Sequence, residues 1–103
     1  MPYLIQTRDK AGNAGLRASL EAEHRAWLNG QTQSILAAGA LLTDDGGELG
    51  GGVYIIDAET RAEAEDFIRH DPFTHARLFA SVEITRWRKA FFNFHNYLPE
   101  PKG

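Results

Sequence analysis

The chain has 103 residues, of which 43% are hydrophobic, with a formal charge of -3 at pH 7 and no cysteine. One domain of this length can bury a core without crosslinks, and the missing cysteine excludes disulfides, thiolate nucleophiles and cysteine-ligated metal sites. Acidic and basic residues are interspersed, so no basic stripe predicts nucleic-acid binding. No apolar run is long enough for a membrane span, and the N-terminal residues do not have the charged segment followed by an apolar core that marks a signal peptide. We therefore expect a cytoplasmic protein.

Hydrophobic periodicity in the first half predicts a strand, a long helix and a hairpin. Apolar residues recur at helical spacing from Leu16 to Leu28, and Gly30 is a typical helix stop. The predicted elements are a strand at residues 3–8, a loop at 9–15, a helix at 16–30, a shorter helical segment at 31–38, and a hairpin with strands at 40–42 and 53–56 around a DDGG turn.

The second half contains a helix whose beginning and end are both marked. Thr60 can accept a hydrogen bond from the amide of Glu63, and Glu63 can reach back to Thr60, which is the reciprocal capping box. Pro72 disfavours helical geometry at the residue before it, so this helix should end near His70 or Asp71. The elements predicted after it are a helical turn at 74–79, a strand at 82–87 and an aromatic, proline-containing arm at 91–103.

The predicted order β-α-β-β-α-β is typical of the ferredoxin-like α+β fold, with a four-stranded antiparallel sheet and both helices on one face. Residues 1–90 form the predicted domain, and the arm at 91–103 would cover a neighbour or its own sheet. The second face of the sheet has no helix to cover it. We therefore expect a homodimer, in which a second copy covers that face.

His24 is the first candidate for chemistry. It follows Leu20 and precedes Leu28 by one helical turn each, so its imidazole lies within an apolar face and needs a hydrogen-bond partner. Because both helices lie on the same side of a ferredoxin-like sheet, Asp71 at the end of the second helix is the candidate partner. A carboxylate there would orient the ring as a general acid or base. A buried structural pair of the same two residues is the alternative interpretation.

Several short motifs together resemble the YCII-related (YciI-like) family from Tyr3 to about Phe91. They are the histidine within the first helix, the acidic and glycine-containing turn, the D-P-F step at 71–73 and the segment SVEITRWRK. The resemblance implies a dimeric α+β barrel with His24 and Asp71 as active-site residues, and Arg17 matches a basic position of the family's first helix. Glu21 and His70 depart from the family pattern, so the resemblance implies no particular substrate.

The leading hypothesis is an enzyme of this family that acts on a small organic molecule by proton transfer, elimination or isomerisation. His24 would be the acid–base catalyst, with a nucleophilic role as the alternative, Asp71 would orient it, and Arg17 would hold an anionic part of the ligand. Nothing in the sequence calls for a cofactor. The Glu21-x-x-His24 step lacks the further glutamates of a di-iron site, so no metal is expected.

Two alternatives come from other classes of protein. One is a non-catalytic homodimer that binds a ligand or assists a partner enzyme, with His24 and Asp71 as a structural pair. The other is a cofactor-free oxygenase or haem-handling protein, which rests on fold analogy alone.

Overall fold

A computed structural model describes residues 1–100 of the chain. Its elements in chain order are β1 (Tyr3–Asp9), α1 (Ala14–Gly30), β2 (Ile35–Leu42), β3 (Glu48–Ile56), α2 (Arg61–Arg69), α3 (Pro72–His75), β4 (Phe79–Arg86), β5 (Phe91–Phe92) and β6 (His95–Asn96). The four long strands form one sheet in the order β2-β3-β1-β4, and every neighbouring pair is antiparallel. This confirms the predicted α+β, ferredoxin-like arrangement.

The core lies between the sheet and the helices. Alternation along the central strand β1 sends Ile5 to the helix-covered face, where it is fully buried, and Ile56 of β3 joins it. Helix α2 contributes Ala64 and Ile68 to the same cluster. Helix α1 differs, because each of its residues keeps some exposure. Helix α1 therefore covers its half of the sheet less tightly than α2 does.

The predicted helical segment at 31–38 is wrong, because β2 begins at Ile35 and continues to Leu42. Leu36, Ala37 and Ala38 favour a helix in isolation, but pairing with β3 from Ile35 onward overrides that preference. The hairpin of β2 and β3 is confirmed, with longer strands than predicted. Gly51 of β3 has a packing role, because a Cβ there would lie 2.3 Å from the carbonyl oxygen of Thr7.

The junction between α2 and α3 places Asp71. Helix α2 begins after Thr60, whose hydroxyl accepts from the amide of Glu63 as predicted. The Glu63 carboxylate does reach back to Thr60, but it accepts from the Thr60 hydroxyl and from the amide of Glu59 instead of from the Thr60 amide. Asp71 then caps α3, and its Oδ1 accepts from the amide of Phe73 at 2.8 Å. Asp71 is thus a helix-start residue with one carboxylate oxygen fixed by the backbone.

The predicted arm begins with a small hairpin formed by β5 and β6. Asn93 and Phe94 at its turn have positive φ angles of 51° and 63°, and the Phe94 side chain is fully exposed. The end of the arm, residues 101–103, lies outside the described residues, and the domain boundary at residue 90 stays a prediction. Within residues 1–100, no helix combines the length and apolar character that crossing a membrane requires.

Candidate active site

His24 and Asp71 meet where α1 passes over the start of α3. Nε2 of His24 lies 3.1 Å from Oδ2 of Asp71, although 47 residues separate them in sequence. The Asp71 side chain is fully buried, whereas 13% of the His24 side chain is exposed. The structure therefore brings the two predicted residues together, with the imidazole towards solvent and the carboxylate behind it.

Tyr54 of β3 is the third member of this cluster, and no sequence motif marks it. Its hydroxyl donates to Oδ2 of Asp71 at 2.6 Å and lies 3.2 Å from Nε2 of His24. Burial, and then the charge and hydrogen bond of Asp71, raise the pKa of Tyr54 well above its ordinary value. Tyr54 therefore remains a neutral hydrogen-bond donor to Asp71.

Phe73 fixes the plane of the His24 ring. The two rings are stacked, with centroids 3.9 Å apart and planes inclined by 15°. The guanidinium of Arg17 also lies over the Phe73 ring, 4.7 Å from its centroid. Because Arg17 and His24 both contact this one buried ring, a small ligand can reach both.

Arg17 is held by Asp9 at the end of β1. Nε of Arg17 donates to Oδ2 of Asp9 at 2.6 Å, and Nη2 donates to Oδ1 at 3.2 Å. Burial lowers the pKa of Arg17, but the hydrogen bond and charge of Asp9 outweigh that effect and raise it. The cation is thus permanent and fixed in position, and Nη1 has no hydrogen-bond partner within residues 1–100.

A cavity of about 490 Å³ lies beside these groups. Arg17 and His24 of α1 line it on one side, and the strands β2 and β3 line it on the other. Most residues on its strand side are small, and Glu48, Leu49 and Tyr54 of β3 complete it; the small ones are Ala38, Gly39, Ala40, Gly50 and Gly52. Glycine suits position 52, because a Cβ there would make a tight contact of 3.1 Å with the carbonyl oxygen of Gly39. These small side chains leave the room that a ring-sized ligand needs.

His70 lies away from this cavity. Its side chain is 60% exposed, and its Nδ1 lies 2.8 Å from the carbonyl oxygen of Asp66 one turn earlier in α2. His70 caps the C-terminal end of α2 and faces solvent, so it takes no part in the cluster.

Comparison with known proteins identifies the family and a well-matched structure. The YCII-related domain family matches residues 1–88. The structure of 5-chloro-2-hydroxyhydroquinone dehydrochlorinase from Burkholderia phenoliruptrix, in complex with 2,5-dihydroxybenzoquinone, is 34% identical, with a TM-score of 0.77 over 85% of this chain and 94% of that chain. These matches confirm the resemblance drawn from the motifs.

More distant matches are a protein from Agrobacterium tumefaciens and one from Arabidopsis thaliana. The first is 19% identical with a TM-score of 0.45, over 82% of this chain and 89% of that chain. The second is 11% identical with a TM-score of 0.46, over 89% and 97% of the two chains. No curated protein matches the chain significantly.

Proposed function

This chain belongs to the YCII-related family, and from that membership we propose that it is an enzyme of proton transfer and elimination on a small hydroxylated ring. The single observation that carries the proposal is the buried Asp71 carboxylate 3.1 Å from His24, whose imidazole lines a cavity. A structural pair would have no need of an adjoining cavity. An acid–base catalyst needs both a fixed ring and access to ligand.

In this proposal His24 is the group that takes and returns the proton. Stacking on Phe73 and the hydrogen bond to Asp71 restrict the ring to one orientation, so little reorganisation accompanies proton transfer. Asp71 stabilises the imidazolium that forms when the ring accepts a proton. The carboxylate itself is shielded from the ligand by His24 and Tyr54.

Arg17 is the proposed site for an oxyanion of the ligand. Its Nη1 has no partner within residues 1–100, and its side chain lies beside the cavity. A guanidinium stabilises a ring hydroxyl in its ionised form. Ionisation of a ring hydroxyl supplies electron density to the ring, and this density assists departure of a leaving group.

The proposed substrate class is supported by the dehydrochlorinase, which is 34% identical over most of both chains and was solved with 2,5-dihydroxybenzoquinone. We propose a halogenated or similarly substituted hydroquinone as the ligand of this chain. The balanced change is loss of HX: the halide leaves with the bonding electron pair of its carbon, and the ring gives up one proton. His24 transfers that proton, and no external oxidant or reductant is required.

The test is chloride release from 5-chloro-2-hydroxyhydroquinone, measured without oxygen because hydroquinones oxidise in air. The proposal predicts saturable chloride release in proportion to enzyme concentration. Tight binding of 2,5-dihydroxybenzoquinone without release of chloride would contradict it and favour the non-catalytic binding protein. If the protein binds neither 5-chloro-2-hydroxyhydroquinone nor 2,5-dihydroxybenzoquinone, hydroquinones are excluded as its substrates.

We also propose that the chain works as a homodimer through the face of the sheet that no helix covers. Leu4, Val53 and Ile55 lie on that face, opposite the buried residues with which they alternate, and all three are partly exposed. Apolar side chains in one contiguous strip are typical of an interface. The dimer would leave the cavity free, because the cavity is on the helix-covered side.

A further inference from the structure

Three polar atoms of the cluster form a closed triangle. Oδ2 of Asp71 is 2.6 Å from the Tyr54 hydroxyl and 3.1 Å from Nε2 of His24, and the hydroxyl is 3.2 Å from the same Nε2. The other Asp71 oxygen accepts from the Phe73 amide. Both carboxylate oxygens therefore act as acceptors.

Counting the protons determines which nitrogen of His24 carries hydrogen. A carboxylate only accepts, and a tyrosine hydroxyl has one proton, which Tyr54 gives to Asp71. An imidazole is a stronger base than a carboxylate, so a proton between the two resides on nitrogen. Neither Asp71 nor Tyr54 has a proton left to donate to Nε2 of His24, so Nε2 must itself carry the hydrogen. Its hydrogen is shared between Oδ2 of Asp71 and the oxygen of Tyr54.

The other ring nitrogen, Nδ1, has a different environment. It has no hydrogen-bond partner within residues 1–100, and no buried side-chain nitrogen or oxygen in that range lacks a partner. Nδ1 is therefore open to solvent, on a side chain that lines the cavity. In the neutral ring it carries the lone pair.

We propose that Tyr54 is a positioning residue that acts with Asp71 to keep hydrogen on Nε2 of His24, so that Nδ1 exchanges the proton with the ligand. The assignment of Nδ1 as the working atom rests on the proposed function. The assignment of the proton to Nε2 rests on the triangle alone. Tyr54 contributes in two ways. Its hydroxyl proton occupies one lone pair of Oδ2 of Asp71, and its oxygen, with that proton already donated, can only accept a hydrogen bond from His24.

The test is nuclear magnetic resonance of protein carrying ¹⁵N-labelled histidine, because proton–nitrogen correlations across the ring distinguish the two tautomers. Neutral His24 is expected to be protonated at Nε2 and unprotonated at Nδ1. Tyr54→Phe keeps the ring packing and removes the hydroxyl. It should raise the fraction of the Nδ1–H tautomer and lower kcat by about tenfold or more, with a smaller change in KM.

Tyr97→Phe is the matched control, because Tyr97 is half-exposed in the arm, and it should leave the tautomer and kcat unchanged. An Nδ1–H tautomer in the wild-type protein would overturn the proposal, even if Tyr54→Phe does not fold. An unchanged tautomer and kcat in folded Tyr54→Phe would remove Tyr54 from its role. The tautomer is measured without substrate, so the two proposals can fail separately. A protein that has Nε2–H but releases no chloride would contradict the proposed function and leave the assignment of the proton to Nε2 intact.

Discussion

The hydroxyl of Tyr54 donates to Asp71 across 2.6 Å in a site where the carboxylate is fully buried. Burial and the charge of Asp71 raise the pKa of Tyr54. Above about pH 10 the unfolded chain releases this proton while the folded protein keeps it, so the unfolded state binds fewer protons. The stabilising contribution is therefore complete below about pH 10 and is lost as the pH rises further.

Tyr54→Phe should remove this loss of stability at alkaline pH. In the wild-type protein the free energy of unfolding should fall by about 1.4 kcal/mol per pH unit from this residue. Urea titrations at several values between about pH 9 and about pH 11 measure the slope for both proteins. Equal slopes would contradict the ionisation behaviour assigned to Tyr54.

Asp71→Ala should destabilise the fold, because it leaves the Tyr54 hydroxyl, the Phe73 amide and Nε2 of His24 without their acceptor. The expected loss is at least about 1–3 kcal/mol in the free energy of unfolding. Asp66→Ala is the matched control, because its carboxylate forms an exposed pair with Arg69, worth about 0–1 kcal/mol. Similar losses in the two variants would contradict the buried network.

Arg17→Met should weaken binding of 2,5-dihydroxybenzoquinone by about ten- to a hundredfold, because that is the affinity that one hydrogen bond to a charged group contributes. Titration calorimetry measures the dissociation constant. Arg69→Met removes an exposed cation from α2 and should bind the quinone as the wild type does. Wild-type affinity in Arg17→Met would exclude Arg17 from the ligand site.

The variant Arg17→Met also leaves the Asp9 carboxylate without its partner, and that anion would itself repel the ligand. Adding Asp9→Asn separates the two effects. The double variant should recover the part of the affinity lost to repulsion, but not the part that the guanidinium contributed.

Ile55→Glu should convert the proposed dimer to a monomer, because it places a charge in the centre of the open sheet face beside Leu4 and Ala37. Ala62→Glu adds the same charge on the exposed surface of α2 and should leave the dimer intact. Sedimentation velocity at micromolar concentration measures both. A wild-type monomer, or a dimeric Ile55→Glu, would contradict the proposed interface.

The order of strands and helices is predictable because most elements have a local pattern. Thr60 and Glu63 mark the start of α2, and Pro72 marks its end, so the sequence alone places Asp71 at a helix boundary. The segment at 31–38 is the exception, since Leu36, Ala37 and Ala38 suit a helix and only pairing with β3 makes residues 35–38 a strand.

The site is predictable only in part, because its remaining members depend on strand register. Tyr54 is 17 residues from Asp71 and 30 from His24, and no local motif joins them. The alternation in GGVYII does place Tyr54 on the same face as the buried Ile56. A tyrosine hydroxyl that points into the core needs a hydrogen-bond partner there, so this position does indicate a buried polar contact. Asp9 contacts Arg17 across the loop before α1. Because a loop has no regular periodicity, the sequence spacing of these two residues does not predict that their side chains meet.

The most direct test compares chloride release from 5-chloro-2-hydroxyhydroquinone by the wild type, His24→Ala and His70→Ala. His24→Ala should lower kcat by about 10²- to 10⁴-fold, the usual contribution of a general acid–base residue, while still binding 2,5-dihydroxybenzoquinone. His70→Ala removes an exposed imidazole and should keep the wild-type rate. Equal turnover by His24→Ala and the wild type would contradict the central claim that His24 transfers the proton.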